Sequence, residues 1–212
     1  MKLKKYLSSS VFTHEELAHI FQSEVSNVNA KISYMVKQGI LMRLKKGLYT
    51  FGTEYQDNSV DTILVANLLY TPSYVSFDYA LSYYGLIPER VYEVTSATLH
   101  CKKVFETPIG RFSYRPIPIE AYALGVDWLY DDQNGGRFIA TPEKALCDKI
   151  RGDRGIGRFN QTQMREYLVH DLRIEWEALR ELDTQLIEEI AKAYKSHNLK
   201  SLNGVIKRSE YA

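Results

Sequence analysis

Between Thr13 and Phe51 the apolar residues change period from helical to alternating, and that change leaves few folds open. Thr13 and Glu16 have the form of a capping box, in which the hydroxyl accepts from the third helical N–H and the carboxylate reaches back. Phe12 before the cap and Leu17 after it fit a hydrophobic staple, and Leu17, Ile20 and Phe21 give a first helix its inner face. After the polar break Gln22–Ser23 a second helix is expected, capped by Ser23 or Ser26, with Val28, Ile32, Met35 and Val36 on one stripe. Gly39 supplies a left-handed stop. Ile40–Leu44 and Leu48–Phe51 then read as two strands around Lys45–Lys46–Gly47. Two helices followed by a basic hairpin predict a winged helix-turn-helix.

The opposite face of that second helix carries Asn27, Lys31, Tyr34 and Gln38 at helical spacing, flanked by Asn29 and Lys37, with no carboxylate. A helix that is merely solvated mixes both signs of charge, so this face points to an anionic partner, double-stranded DNA. Asn27 or Asn29 suits an adenine edge and Lys31 a guanine edge, with Tyr34 and Lys37 beside them. Arg43, Lys45 and Lys46 on the hairpin suit phosphates, which supply affinity without reading sequence. The competing reading is a small α+β subdomain used for protein contact.

Charge along the chain is uneven. Residues 1–52 carry eight Lys/Arg against three Asp/Glu, whereas residues 53–212 carry nineteen against twenty-three. A basic head on a mildly acidic body suits a protein whose head meets nucleic acid. Cys101 and Cys147 are isolated, without CxxC or a His pair, so neither a zinc site nor a disulfide framework is expected. The start MKLKKYLSSS lacks the apolar core of a signal peptide, and Ile63–Leu69, the most apolar run, is far too short for a bilayer. A soluble, cytoplasmic protein without a membrane partner is expected.

Two domains are expected, residues 1–52 and 59–212, joined by the polar stretch Gly52–Ser59. Lys2–Leu7 reads as a short supporting helix at the front. Ser59–Tyr70 reads as a buried helix, and Ser76 as the cap of another that Gly85 ends. Val91–His100, Lys102–Thr107, Arg111–Ile117 and Arg137–Ala140 have strand composition and suggest a small antiparallel sheet. Thr141–Pro142–Glu143 opens a further helix, and from about residue 160 a helical tail follows: 162–170, 175–182, 184–196 and 199–207. The fold class is thus α+β.

No enzyme is expected, and no catalytic, cofactor-binding or metal-ligating set stands out. Glu143, Lys144, Asp148 and Lys149 resemble the acid–lysine sets of metal-dependent nucleases, but Lys144 and Asp148 read more simply as an i, i+4 surface ion pair. Asp127, Asp131 and Asp132 read as a solvated acidic loop without calcium-loop spacing. The run RGDRGIGR at residues 151–158 has glycines and cations that suit phosphate, but lacks a P-loop ending and reads as a basic loop.

The segments LMRLKKGLYTF, SFDYALSYYGLIPERVYEVTSAT, FETPIGRFSYRPIP and FIATPEKALCDKI, in that order, resemble the AbiEi family over about Thr13 to Ile150. These are antitoxins and transcriptional regulators of the abortive-infection AbiE type, classed with type IV toxin–antitoxin systems. The resemblance implies a bacterial protein whose winged helix binds operator inverted repeats and represses its own operon. It also implies a C-terminal antitoxin domain that counters a nucleotidyltransferase-like toxin without a stable complex. The DNA-reading positions it implies are Asn27, Asn29, Lys31 and Tyr34, with Arg43, Lys45 and Lys46 on the wing. The motifs at Ala80–Glu89 and Pro142–Asp148 then mark packing. The function expected from sequence is a DNA-binding autorepressor and antitoxin. Its rivals are a ligand-responsive winged-helix factor with a tyrosine-lined pocket, a DNA-targeted nuclease, and a protein-interaction module.

Overall fold

The first element among the described residues is a strand that its sequence hides. In the computed structural model, which describes residues 7, 9–56, 59–132 and 134–209, β1 (Val11–Thr13) precedes α1 (His14–Phe21) and α2 (Val28–Lys37). The hairpin β2 (Leu41–Lys45) and β3 (Leu48–Phe51) follows, and the three strands form an antiparallel sheet in the order β1-β3-β2. The capping box is present: Glu16 N donates to Thr13 Oγ1 at 3.2 Å and Thr13 N to Glu16 Oε2 at 2.6 Å. The cap of α2 is Asn27 rather than a serine, its Oδ1 accepting from Ala30 N at 3.0 Å. Gly39, at φ +69°, ends α2 as a Schellman motif, with Gly39 N bonded to Val36 O and Ile40 N to Met35 O. Gly52 then lies so near Gly39 that a Cβ would sit 1.8 Å from the Gly39 carbonyl oxygen, which ties the end of α2 to the end of the sheet. The expected helix at Lys2–Leu7 falls outside the described residues apart from Leu7.

The larger part is a six-stranded sheet with helices packed on it. Its order is β6-β7-β5-β4-β9-β8, built from β4 (Ser73–Val75), β5 (Val94–Thr98), β6 (Lys103–Thr107), β7 (Gly110–Pro116), β8 (Val126–Asp131) and β9 (Gly135–Ala140). The expected small antiparallel sheet is therefore corrected in size and type. β5 pairs parallel with β7, and β4 parallel with β9. Only connections that leave and re-enter the sheet produce such pairs, and period-2 patterns say nothing of them. The expected acidic loop is corrected too: Asp127 and Asp131 lie on edge strand β8, and Asp131 Oδ1 accepts from Asn134 N at the hairpin turn.

Helix α3 (Thr62–Leu69) is nearly all buried, as its composition requires, but starts at the Asp61 cap rather than Ser59. It is followed by α4 (Phe77–Tyr83), the short α5 (Ile119–Tyr122) and α6 (Pro142–Gly152), the last capped by Thr141 with Pro142 at its first position. The tail holds α7 (Gln161–Glu166), which widens into a π turn at Tyr167–Asp171, then α8 (Trp176–Arg180), α9 (Thr184–Ala193) and α10 (His197–Ser209). None of these helices is long and apolar enough to cross a membrane.

Two apolar cores result. Phe12, Leu17, Phe21, Ile32, Met35, Leu41, Tyr49 and Phe51 form the smaller one. The larger one holds the sheet and its helices together with Val11 of β1 and Leu44 and Leu48 of the front hairpin. Successive strand residues face opposite sides, so the three-stranded sheet buries one face in each core. The front unit is docked on the body through its hairpin.

Candidate nucleic-acid interface

The stripe Ile32 and Met35, with Val28 and Val36 at its margin, anchors α2 on the smaller core and turns the opposite side outward. Asn27, Asn29, Tyr34, Lys37 and Gln38 are exposed, and Lys31 is half-buried. Tyr34 keeps 56 % of its surface in solvent, unusual for a ring with no packing role. Neither Lys31 nor Lys37 has an acidic partner among the described residues. The first turn of α2 has no carboxylate, so its N-terminal partial positive charge is unopposed there. Glu24, exposed in the six-residue connection from α1, is the nearest acid in sequence. The two asparagines differ. Asn27 Oδ1 is spent on the cap, whereas the Asn29 amide is open to a bidentate contact.

The hairpin cations also divide. Arg43 and Lys46 are exposed, Arg43 with only a 3.4 Å bond from Nε to the Lys45 carbonyl. Lys45 points elsewhere than expected: its Nζ donates to Leu68 O at 2.8 Å and Leu69 O at 2.9 Å, the last carbonyls of α3. An ammonium there satisfies orphaned acceptors and meets the negative end of the helix dipole. Partial burial pulls its pKa below the ordinary lysine value. Lys45 thus pins the hairpin to the body, leaving Arg43 and Lys46 exposed.

The greatest departure from sequence expectation is on α6. Lys144 and Asp148 form no surface pair; both side chains are wholly buried, with Nζ 3.0 Å from Oδ1. Asp148 also accepts from Tyr74 OH (3.0 Å), Ser76 Oγ (2.7 Å) and Tyr194 OH (2.6 Å), while Lys144 Nζ donates to Ala121 O at 2.8 Å. Every lone-pair direction of the carboxylate is thereby occupied, as a charge out of water requires. Burial, followed by the neighbouring Asp148, drives the Tyr74 and Tyr194 hydroxyls far above the ordinary phenol range, so both remain donors. Ser76 sits where the cap of α4 was expected, but its hydroxyl serves Asp148 rather than the helix. The other acid of that motif, Glu143, accepts from Asp183 N at the start of α9. The group joins β4, α4, α5, α6 and α9.

No group of three or more His, Cys, Asp or Glu residues is arranged to hold a metal among the described residues. No protein-family model matches the chain, and no curated protein is similar to it in sequence.

Proposed function

We propose that the protein is a DNA-binding transcriptional regulator that reads duplex DNA with the outward side of α2 and grips the flanking phosphates with Arg43 and Lys46. In this reading Val11–Phe51 is a winged helix-turn-helix. The observation that carries it is the exposed, carboxylate-free face of α2, whose cations have no acidic partner among the described residues; the hairpin that follows α2 adds the exposed cations Arg43 and Lys46. Asn29 is the preferred adenine reader, Lys31 reaches a guanine edge, and Tyr34 and Lys37 flank them. Following the AbiEi resemblance, the protein represses its own operon through inverted repeats and acts as antitoxin against a nucleotidyltransferase-like toxin, without a stable complex, in the bacterial cytoplasm.

A mobility-shift titration with the duplex upstream of its reading frame tests the first part. Binding is expected to weaken steeply with salt; absence of a shift even at about 50 mM salt removes the DNA reading. Co-expression with the adjacent toxin reading frame tests the second. Growth arrest that this protein does not relieve removes the antitoxin role.

A further inference from the structure

A cavity of about 610 Å³ opens on the body between the start of α4, the end of β7 and the end of α6, and none of its lining residues belongs to α2. We propose that it binds a small molecule carrying adjacent phosphates, of nucleoside polyphosphate size. Its wall brings together Lys102, Arg115, Arg151 and Arg154, none with a carboxylate partner among the described residues. Lys149 also lines it but is held by Asp78 at 2.6 Å. On the acidic side, Asp148 is consumed in its buried group, and Asp153 accepts from Gly155 N and Tyr167 OH.

The end of α6 opposes an anion here, and Arg151 in its last turn is the ordinary complement to that dipole. The dipole amounts to about half a charge, so the remaining cations outweigh it together with Asp153. Arg115 is the telling residue. It is half-buried at the end of β7, with its guanidinium carbon over the Phe77 ring, 4.9 Å from the centroid. A guanidinium over an aromatic ring and lacking an acid partner suits a phosphate.

The wall is also preformed. Phe77 is buried at φ +57°, a left-handed conformation that bulky residues rarely adopt and that clusters at ligand sites. Ser76 and Tyr194, locked on Asp148, hold the segment before Phe77 and the cavity floor. At Gly152 a Cβ would stand 3.6 Å from Arg115 Nη1, so the missing side chain keeps that nitrogen reachable. Pro116, Ile117 and Pro118 supply an apolar side for a ring, and the volume falls in the range of small-molecule sites. The cavity is cationic and open, with Tyr194 the one tyrosine among its lining residues, and the RGDRGIGR run contributes Arg151 to Arg154 to its rim.

Calorimetric titration of the full chain with tripolyphosphate, ATP and GTP at constant ionic strength tests the proposal. Tripolyphosphate is expected to bind, and the nucleotides more tightly. Arg115→Gln, and Arg154→Gln at an exposed site that folding tolerates, are each expected to lose about tenfold in affinity. Arg180→Gln, the same charge removed on exposed α8, is expected to leave affinity unchanged. No binding by any of the three probes overturns the proposal, as does wild-type affinity in both cavity variants. Displacement of tripolyphosphate by a duplex oligonucleotide but not by nucleotide also overturns it, in favour of a nucleic-acid backbone. Operator binding is measured separately, so failure of one reading leaves the other standing.

Discussion

The face of α2 and the heart of α6 place the same kinds of residue in opposite conditions. On α2, Lys31 and Lys37 have no acid partner among the described residues, their chain stems lying on a helix whose packing is finished by apolar groups alone. On α6, Lys144 has lost all contact with water and is held by a carboxylate, a carbonyl and the ring of Tyr194 at 4.6 Å. The first arrangement leaves positive charge available to a partner; the second uses it to join five elements. Charge that is free is a candidate for function, and charge that is fully satisfied is architecture.

That contrast can be broken most decisively at Lys144. Lys144→Met leaves Asp148 buried without its cation and should cost about 3–5 kcal/mol, read as a lower urea midpoint at unchanged slope. An effect comparable to that of an exposed lysine would mean that water reaches the pair. Next in size, Asn29→Ala should cost about 1–3 kcal/mol of DNA affinity at one base position, whereas Asn27→Ala should chiefly remove a helix cap worth about 1 kcal/mol of stability. Binding across a panel of single-base operator variants separates the two, and equal base selectivity in both asparagine variants would erase the distinction.

A finer test lies within the hairpin. Lys45→Ala should cost about 1–2 kcal/mol of stability by uncovering the α3 carbonyls, and leave the salt dependence of DNA binding unchanged. Arg43→Ala with Lys46→Ala should do the reverse, lowering the slope of log affinity against log salt by about two. The smallest effect concerns Glu188, whose pKa the Lys192 and Lys207 ammoniums lower to about 2. Because the folded value is depressed, its contribution is full above the ordinary carboxylate range and is lost as pH falls toward 2. Comparing Glu188→Gln with the parent from neutral to acid pH should show a small difference that closes at the acid end.

How much of this was legible in the sequence depended on distance along the chain. The Thr13–Glu16 box, the Gly39 stop and the Thr141–Pro142 helix start were readable because each acts within one turn. The outward face of α2 was readable for the same reason, since helical period alone fixes which residues share a side. Lys45 was not, because its acceptors lie 23 and 24 residues away. Asp148 was less so, its hydroxyl partners standing 46, 72 and 74 residues distant. An i, i+4 lysine and aspartate look alike on the surface and in a core, and only the closing of α9 and β4 over α6 decides between them. Strands β1 and β4, three residues each, were too short to show a period, and the aspartates of β8 disguised an edge strand as a loop.

Strand β1 and the front hairpin, with Val11, Leu44 and Leu48 sunk into the larger core and Lys45 latched to α3, fasten the head of the molecule to the body. A duplex held along α2 would therefore meet the body at a single angle. In the operator reading, the separation of two copies on neighbouring repeats would then follow from this docking and not from the reach of a tether.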